Sequence, residues 1–196
     1  MSRATAFTIA SVLFLGVASA AHAVPITFTA TLSGPNESPP NASLGTGFAQ
    51  VDFDLAANLM RVQVSFGGLL GTTTASHIHC CTAVPFAGTA GVATTTPTFT
   101  DFPLGVNIGT YDHIFDMTLT SSYNPAFVTA QGGIAGAEAA LFNGMLAGQD
   151  YFNIHTSVFP GGEIRGFLVA VPEPATITMF GSALFGLWYL RRKRLV

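Results

Sequence analysis

The chain has 196 residues, of which 49% are hydrophobic and only 9% are charged, against about 25% charged residues in an ordinary soluble domain. This composition excludes long disordered tails as the main content, because such tails need low hydrophobicity and high charge. Between Val24 and Ala170, two arginines stand against nine acidic residues, a formal charge of −7. A nucleic-acid partner is therefore not expected, since binding phosphates requires clustered Lys or Arg.

The first 23 residues have the three regions of a secretory signal peptide. A basic start with Arg3 is followed by an apolar run from Ala6 to about Ala18 and by small residues that end in Ala21-His22-Ala23. This order predicts an N-terminal signal helix that is removed by cleavage after Ala23. A buried helix of a folded domain is the alternative, which the flanking residues disfavour.

Residues 24–170 are predicted to form one all-β domain. The segment has no Lys, is rich in Thr, Gly, Phe and Val, and repeatedly alternates apolar with polar residues. A turn at Ala56 to Asn58 predicts a hairpin, and short strands separated by Pro and Gly indicate an antiparallel β-sandwich of the Ig-like kind. The predicted strands are Ile26 to Leu32, Gln50 to Leu55, Met60 to Phe66, Ser76 to His79, Ile114 to Leu119, Tyr151 to Val158 and Glu163 to Val169.

One helix is predicted inside this domain. Good helix formers from Ile134 to Leu146 favour a short helix that leads into the strand beginning at Tyr151. The segment from Pro85 to Pro103 is rich in Thr, Gly and Pro, and it predicts an irregular excursion over the surface.

The C-terminal residues 171–196 combine a short motif, an apolar span and a basic tail. Pro172-Glu173-Pro174 precedes an apolar stretch over 175–190, which predicts a transmembrane helix of about 24 Å, marginal against a hydrocarbon core of about 30 Å. Because positive charge stays on the cytoplasmic side, the domain is expected on the outer side of the membrane. The basic residues are Arg191, Arg192, Lys193 and Arg194.

This tail resembles the PEP-CTERM sorting signal of Gram-negative bacteria. The resemblance implies an exosortase-type enzyme as a partner, which processes the chain at Pro172-Glu173-Pro174 while it is anchored in the inner membrane. It also implies delivery to the cell surface or the exterior, often in an exopolysaccharide setting. A simple tail anchor is the alternative interpretation.

Three segments of the central domain resemble the CHRD domain, named from chordin and also found in bacterial secreted proteins. They are SGPNESPPNASLGTGFAQVDFD, TTASHIHCCTA and DYFNIHTSVFPGGEIRGFL. The resemblance implies an extracellular β-sandwich similar to that of copper/zinc superoxide dismutase, without a settled biochemical activity. Family members usually have Gly-Pro after the His-x-His motif, whereas Cys80 and Cys81 follow it here.

Three histidines are candidate metal ligands. His77 and His79 are two residues apart, so on a strand they share one face while Ile78 points to the other. His155 alternates with Ile154 in the same way, and the three imidazoles can converge on one side of a sheet. Imidazoles in such a group suit copper or zinc, and an adjacent thiolate would add a soft ligand.

A hydrogen-bonded network at the sheet surface is the other interpretation of these residues. In it, Asn153, His155, Glu163 and Arg165 satisfy one another and no metal is bound. His113 alternates with Phe115 and Met117, so it is expected to be partly buried and not to be a ligand.

The two cysteines are adjacent, and three interpretations stay open for them. In the first interpretation Cys80 and Cys81 form a strained vicinal disulfide, and in the second their thiols join a metal site with His77 and His79. In the third they are two small buried apolar residues.

No hydrolase, phosphate-loop or H-E-x-x-H motif is present, so no catalytic residue is assigned. The sequence predicts an exported, noncatalytic CHRD-type module that binds a surface polysaccharide or protein and needs no cofactor. The alternative is a copper- or zinc-binding protein, or a superoxide-dismutase-like metalloenzyme, that uses His77, His79 and His155.

Overall fold

Strands dominate the domain because apolar and polar residues alternate along most of its segments. The structure is a computed structural model that describes residues 24–172. Its strands are β1 (Ile26–Ser33), β2 (Thr46–Asp54), β3 (Leu59–Gly67), β4 (Thr73–His79), β5 (Gly109–Asp116), β6 (Tyr151–Thr156), β7 (Ile164–Phe167) and β8 (Val169–Ala170).

All strands pair antiparallel in one sheet with the order β4-β6-β7-β1-β2-β3-β5, and β8 pairs with β1 beside β7. The hairpin predicted between β2 and β3 is present, with Asp54 opposite Leu59 across its turn. The predicted all-β antiparallel fold is confirmed. It takes the form of a single sheet that curls over itself.

One hydrophobic core fills the curled sheet. Phe99, from the segment between β4 and β5, has its ring centroid 5.2 Å from that of Phe115 on β5 and 5.8 Å from that of Phe152 on β6. Ile78 and Ile154 are fully buried in the same core, as predicted. The apolar sides of β4 and β6 therefore face inward, and this orientation turns their alternate residues to the opposite side of the sheet.

Two α-helices, α1 (Pro125–Ala130) and α2 (Ile134–Leu146), connect β5 to β6. The bounds of α2 agree with the predicted helix. Helix α1 was not predicted from the sequence, because six residues are too few for a periodic apolar pattern. Its N-terminus is nevertheless well formed, since Asn124 caps it by accepting a hydrogen bond from Ala126 N and Pro125 occupies the first turn.

The prediction for β5 was wrong by several residues. The predicted strand was Ile114 to Leu119, whereas β5 spans Gly109–Asp116 and the chain turns from Met117 onward. Pairing with β3 explains the difference, because Phe66 lies opposite Gly109 and Leu59 opposite Asp116, so the length of β3 determines where β5 ends.

Within residues 24–172, no helix is long and apolar enough to cross a membrane. The predicted signal helix of residues 1–23 and the predicted transmembrane helix over 175–190 lie outside the described residues. The segment from Pro85 to Pro103 contains only isolated bridges and no strand or helix, as predicted.

Candidate metal centre

The face of β4 and β6 that points away from the core carries the three candidate histidines. In the antiparallel register, Ala75 lies opposite His155, His77 opposite Asn153 and His79 opposite Tyr151. The strand alternation that buries Ile78 and Ile154 in the core therefore puts the three imidazoles on one face, in adjacent rows of the sheet.

The structure brings the three imidazoles together. Their ring centroids are 5.3 Å apart for His77 and His155, and 5.9 Å apart for both His77 with His79 and His79 with His155. One ring nitrogen from each residue lies within 4.8 Å of the others. This convergence is what a shared metal ion requires.

This face is buried, whereas the sequence predicted an open sheet surface. His77 is 6% exposed, His79 is 8% exposed and His155 is half-buried. The reason is that two loops cover the face: the excursion between β4 and β5, and the turn from Phe159 to Gly162 between β6 and β7.

Backbone carbonyls of these loops hold one nitrogen of each ring. His77 Nε2 lies 2.7 Å from the Pro97 oxygen and His79 Nδ1 lies 2.9 Å from the Ala90 oxygen. His155 Nδ1 lies 2.9 Å from the oxygen of Pro160. Because a carbonyl can only accept, these nitrogens carry the ring protons and donate.

The other nitrogen of each ring keeps its lone pair and has no hydrogen-bond partner among the described residues. These buried atoms are His77 Nδ1, His79 Nε2 and His155 Nε2. Metal-ligating histidines typically have one nitrogen that donates to a carbonyl and another that is free to bind the metal. All three residues therefore have the tautomer that a metal site needs.

Burial also keeps the imidazoles neutral. Removal from water lowers the pKa of His77 and of His79 to about 4, although the hydrogen bonds to Pro97 and Ala90 act in the opposite direction. Burial lowers the pKa of His155 as well. At neutral pH the free nitrogens of His77 and His79 therefore carry no proton that a metal would have to displace.

Tyr151 orients His79 from the side. The two rings stack with centroids 4.7 Å apart, and the Tyr151 hydroxyl donates to the Ala90 oxygen that also accepts from His79. The Arg165 guanidinium lies 4.7 Å from the centroid of the Tyr151 ring. Alternation predicted that Tyr151 and the histidines share a face, but no sequence signal indicated this stacking or the loop carbonyls.

The predicted network of Asn153, His155, Glu163 and Arg165 was wrong in its pairings. Glu163 is fully buried, but its carboxylate accepts from donors elsewhere in the domain, and His155 donates to a carbonyl. Glu163 lies before the first residue of β7, so strand alternation does not determine its direction. Its donors are the Ser43 and Thr156 hydroxyls and the backbone N–H groups of Leu70 and Gly71.

Arg165 instead pairs with Glu37, a residue that the sequence did not single out. Arg165 Nε lies 3.8 Å from Glu37 Oε2, and the guanidinium donates to the backbone oxygens of Asn36 and Gly88. Burial raises the pKa of Glu37 to about 7, although Arg165 and a backbone hydrogen bond act to lower it. Asn153 shares the histidine face, and its Oδ1 is buried without a hydrogen-bond partner among the described residues.

Cys80 and Cys81 form a disulfide, one of the three interpretations that the sequence left open. The interpretation as two buried apolar thiols was wrong, and only Cys80 is buried whereas Cys81 is exposed. In the oxidised state neither sulfur is a thiolate, so neither adds a ligand to the three imidazoles. His113 is half-buried on β5, as predicted.

The curled antiparallel sheet with its buried histidine face defines an all-β module, and comparison with family models identifies which one. The CHRD domain model matches residues 28–168, and the chain belongs to the CHRD domain family. The PEP-CTERM protein-sorting motif matches residues 170–194, which include Pro172-Glu173-Pro174 and the basic tail.

Both resemblances predicted from the sequence are thereby confirmed. The sorting motif indicates an exported protein that is processed at the membrane, with exosortase as the processing partner. Comparisons with curated proteins and with solved structures gave no match.

Proposed function

We propose that this exported domain binds one copper or zinc ion through His77, His79 and His155. The observation that carries the proposal is the set of three buried ring nitrogens without hydrogen-bond partners among the described residues, on imidazoles whose other nitrogens donate to carbonyls. A buried polar atom without a partner costs about 1 to 3 kcal/mol, so three of them on one cluster of imidazoles favour a ligand that satisfies all three.

The donor set agrees with both metals. Neutral imidazole is a ligand of copper and of zinc, and three protein ligands with an open fourth position are typical of reactive zinc sites. We propose metal binding and not superoxide-dismutase-like turnover as the main function, because His77 and His79 are almost completely buried and a substrate would have little access to the ion.

Metal content of the purified protein tests this proposal. The full chain, exported in a bacterial host and purified without chelator, should contain about one equivalent of copper or zinc by mass spectrometry of the metal. His79→Ala should lose the ion. His113→Ala, which removes a half-buried histidine on β5 outside the site, should keep it. Metal-free wild-type protein that takes up neither ion on addition, or equal metal in His79→Ala, would refute the proposal.

A polysaccharide-binding role is the second candidate, and it concerns the outer face of β2, β3 and β5. A shallow cleft there is lined by Phe48, Gln50, Gln63 and Asp112, and Phe48 is 46% exposed. Amide and carboxylate groups hydrogen-bond sugar hydroxyls, and an exposed aromatic ring packs on a sugar ring. Phe48→Ala should weaken retention on the host's purified exopolysaccharide, whereas Phe86→Ala, an exposed Phe elsewhere, should not. Equal retention of wild type and Phe48→Ala would contradict this role.

A further inference from the structure

A second group of potential metal ligands meets where β4 ends and β6 begins. His79 and Tyr151 lie opposite each other, so the residue after β4 and the residue before β6 come together. The sulfur atoms of Cys80 and Cys81 and one carboxylate oxygen of Asp150 lie within 4.8 Å of one another. This group contains none of the three histidines.

Asp150 is the unexplained member of this group. Asp150 is completely buried, with 0% exposure to solvent, yet neither carboxylate oxygen has a hydrogen-bond partner among the described residues. Glu163, which is also fully buried, accepts from four donors. A buried carboxyl group without partners carries a large desolvation cost, and a bound cation is one way to offset it.

Helix α2 leaves space for this carboxyl group beside the two sulfurs. Gly144 faces Asp150, and a Cβ atom at that position would overlap Asp150 Oδ1. The backbone oxygen of Ala140, one helical turn earlier, lies 3.6 Å from Cys80 Sγ and 3.7 Å from Cys81 Sγ. The acid is therefore held next to the cysteine pair by the packing of the helix.

We propose that reduction of the Cys80–Cys81 disulfide creates a second metal site, in which both thiolates and the Asp150 carboxylate bind Cu⁺ or Zn²⁺. Thiolate sulfur is the preferred ligand of these ions, and Asp150 supplies a third, anionic ligand. The oxidised pair has no thiolate, so the oxidation state decides whether the site exists. Because Cys81 is exposed, a reductant from solution can reach the bond.

The chemistry balances with a dithiol as the reductant. The dithiol transfers two electrons and two protons: the bond between Cys80 Sγ and Cys81 Sγ breaks, two thiols form, and the dithiol becomes a disulfide. Metal binding then releases one proton from each thiol, and the Asp150 proton if that carboxyl is protonated, to water. The oxidation state of the metal does not change.

Titration with Co²⁺, a spectroscopic substitute for Zn²⁺, tests the proposal on the full chain. Reduced protein, freed from excess dithiol under anaerobic conditions, should bind one more equivalent of cobalt than oxidised protein and should show thiolate-to-cobalt charge-transfer absorption. The oxidised protein should lack that absorption. If the three-histidine site does not bind metal but this second site exists, the oxidised protein should bind no cobalt and the reduced protein one equivalent. If both sites exist, the oxidised protein should bind one equivalent and the reduced protein two.

Variants identify the ligands of the second equivalent. Cys80→Ser/Cys81→Ser should bind the same amount of cobalt with and without the dithiol. Asp150→Asn should keep the charge-transfer absorption but raise the dissociation constant at least tenfold, whereas Asp101→Asn, at an exposed carboxylate, should leave it unchanged. The proposal is overturned if reduction adds no cobalt, if the double serine variant still gains an equivalent, or if Asp150→Asn binds like wild type. The comparison of oxidised with reduced wild type needs no substitution, so it stands even if a variant fails to fold.

Discussion

Arg165 is a buried cation that links several elements on the polar side of the sheet. It is 4% exposed, lies against the Tyr151 ring, and donates to the carbonyls of Asn36 and Gly88 in two different loops. Its charge also compensates the carboxyl group of Glu37, which is 7% exposed. One side chain thus connects the loop after β1, the excursion between β4 and β5, and strands β6 and β7.

Arg165→Ala should lower the free energy of unfolding by about 3 kcal/mol at pH 8, because Glu37 would remain buried without a compensating charge. Urea denaturation followed by circular dichroism measures the change. Arg61→Ala is the matched control: Arg61 forms an ion pair with Asp112 at the surface, so its loss should change stability little. Equal effects of the two substitutions would show that Arg165 has no special structural role.

The carboxyl group of Glu37 should make stability depend on pH. Burial raises its pKa from 4.5 to about 7. Between these two pH values, the carboxyl group is protonated in the folded protein and ionised in the unfolded chain. Its contribution to stability is fully present below pH 4.5 and is lost as the pH rises through 7. The loss amounts to about 3 kcal/mol for a shift of this size.

Glu37→Gln removes this titration and should flatten the stability profile between pH 5 and pH 8. The measurement is the free energy of unfolding of wild type and variant at several pH values, in one buffer system at constant ionic strength. As the pH rises, the free energy of unfolding of the wild type should fall relative to that of the variant. A constant difference across this range would mean that Glu37 is ionised in the folded protein throughout.

At the scale of elements, Glu163 joins three connections of the sheet. It accepts from Ser43 in the connection between β1 and β2, from Leu70 and Gly71 between β3 and β4, and from Thr156 at the end of β6. Although burial acts to raise its pKa, these hydrogen bonds together lower it. The carboxylate therefore fixes loops that the strand ladders do not reach.

Glu163→Gln should destabilise the domain by about 2 to 3 kcal/mol. One carboxylate oxygen, which accepts hydrogen bonds, would be replaced by an amide NH₂ group, and this group would face the same donors without being able to accept from them. The midpoint of urea denaturation, compared with that of Asp101→Asn at an exposed carboxylate, measures this effect. Resistance to proteolysis in the three connections should fall in the same variant. Stability like that of wild type would show that the hydrogen bonds of Glu163 are replaceable.

Alternation predicted which face carries the histidines, and it could do so because a strand permits only two directions for a side chain. It could not predict the carbonyls of Ala90, Pro97 and Pro160, since they come from loops whose path follows no period. Glu163 was misassigned for the same reason: it stands one residue outside β7. Helix α2 was long enough to be predicted with its bounds, whereas α1 was too short.

At the scale of the whole molecule, the two ends of the folded domain lie side by side, because β8 near the C-terminal end pairs with β1 at the N-terminal end. Strand β8 pairs with β1 through Phe28 opposite Ala170, and Val171 N donates to the Thr27 oxygen over 2.8 Å. Val24 is 69% exposed and Val171 is 41% exposed. The residues that follow the predicted signal cleavage site and precede the sorting motif, Val24 and Val171, therefore lie near each other at the surface of the domain, outside its core.

This position predicts that both ends can be processed without unfolding the domain. In a host with the exosortase, intact-mass measurement should show a mature chain that starts at Val24 and lacks the C-terminal tail. Glu173→Ala, inside the sorting motif, should leave the tail in place and the protein in the inner membrane, whereas Val171→Ala, just outside the motif, should be processed normally. Full-length protein in the cytosol would disprove export, and normal processing of Glu173→Ala would disprove recognition of the motif. Since the substitutions lie beyond the last core residue, Leu168, the domain should melt at the same temperature in all three proteins.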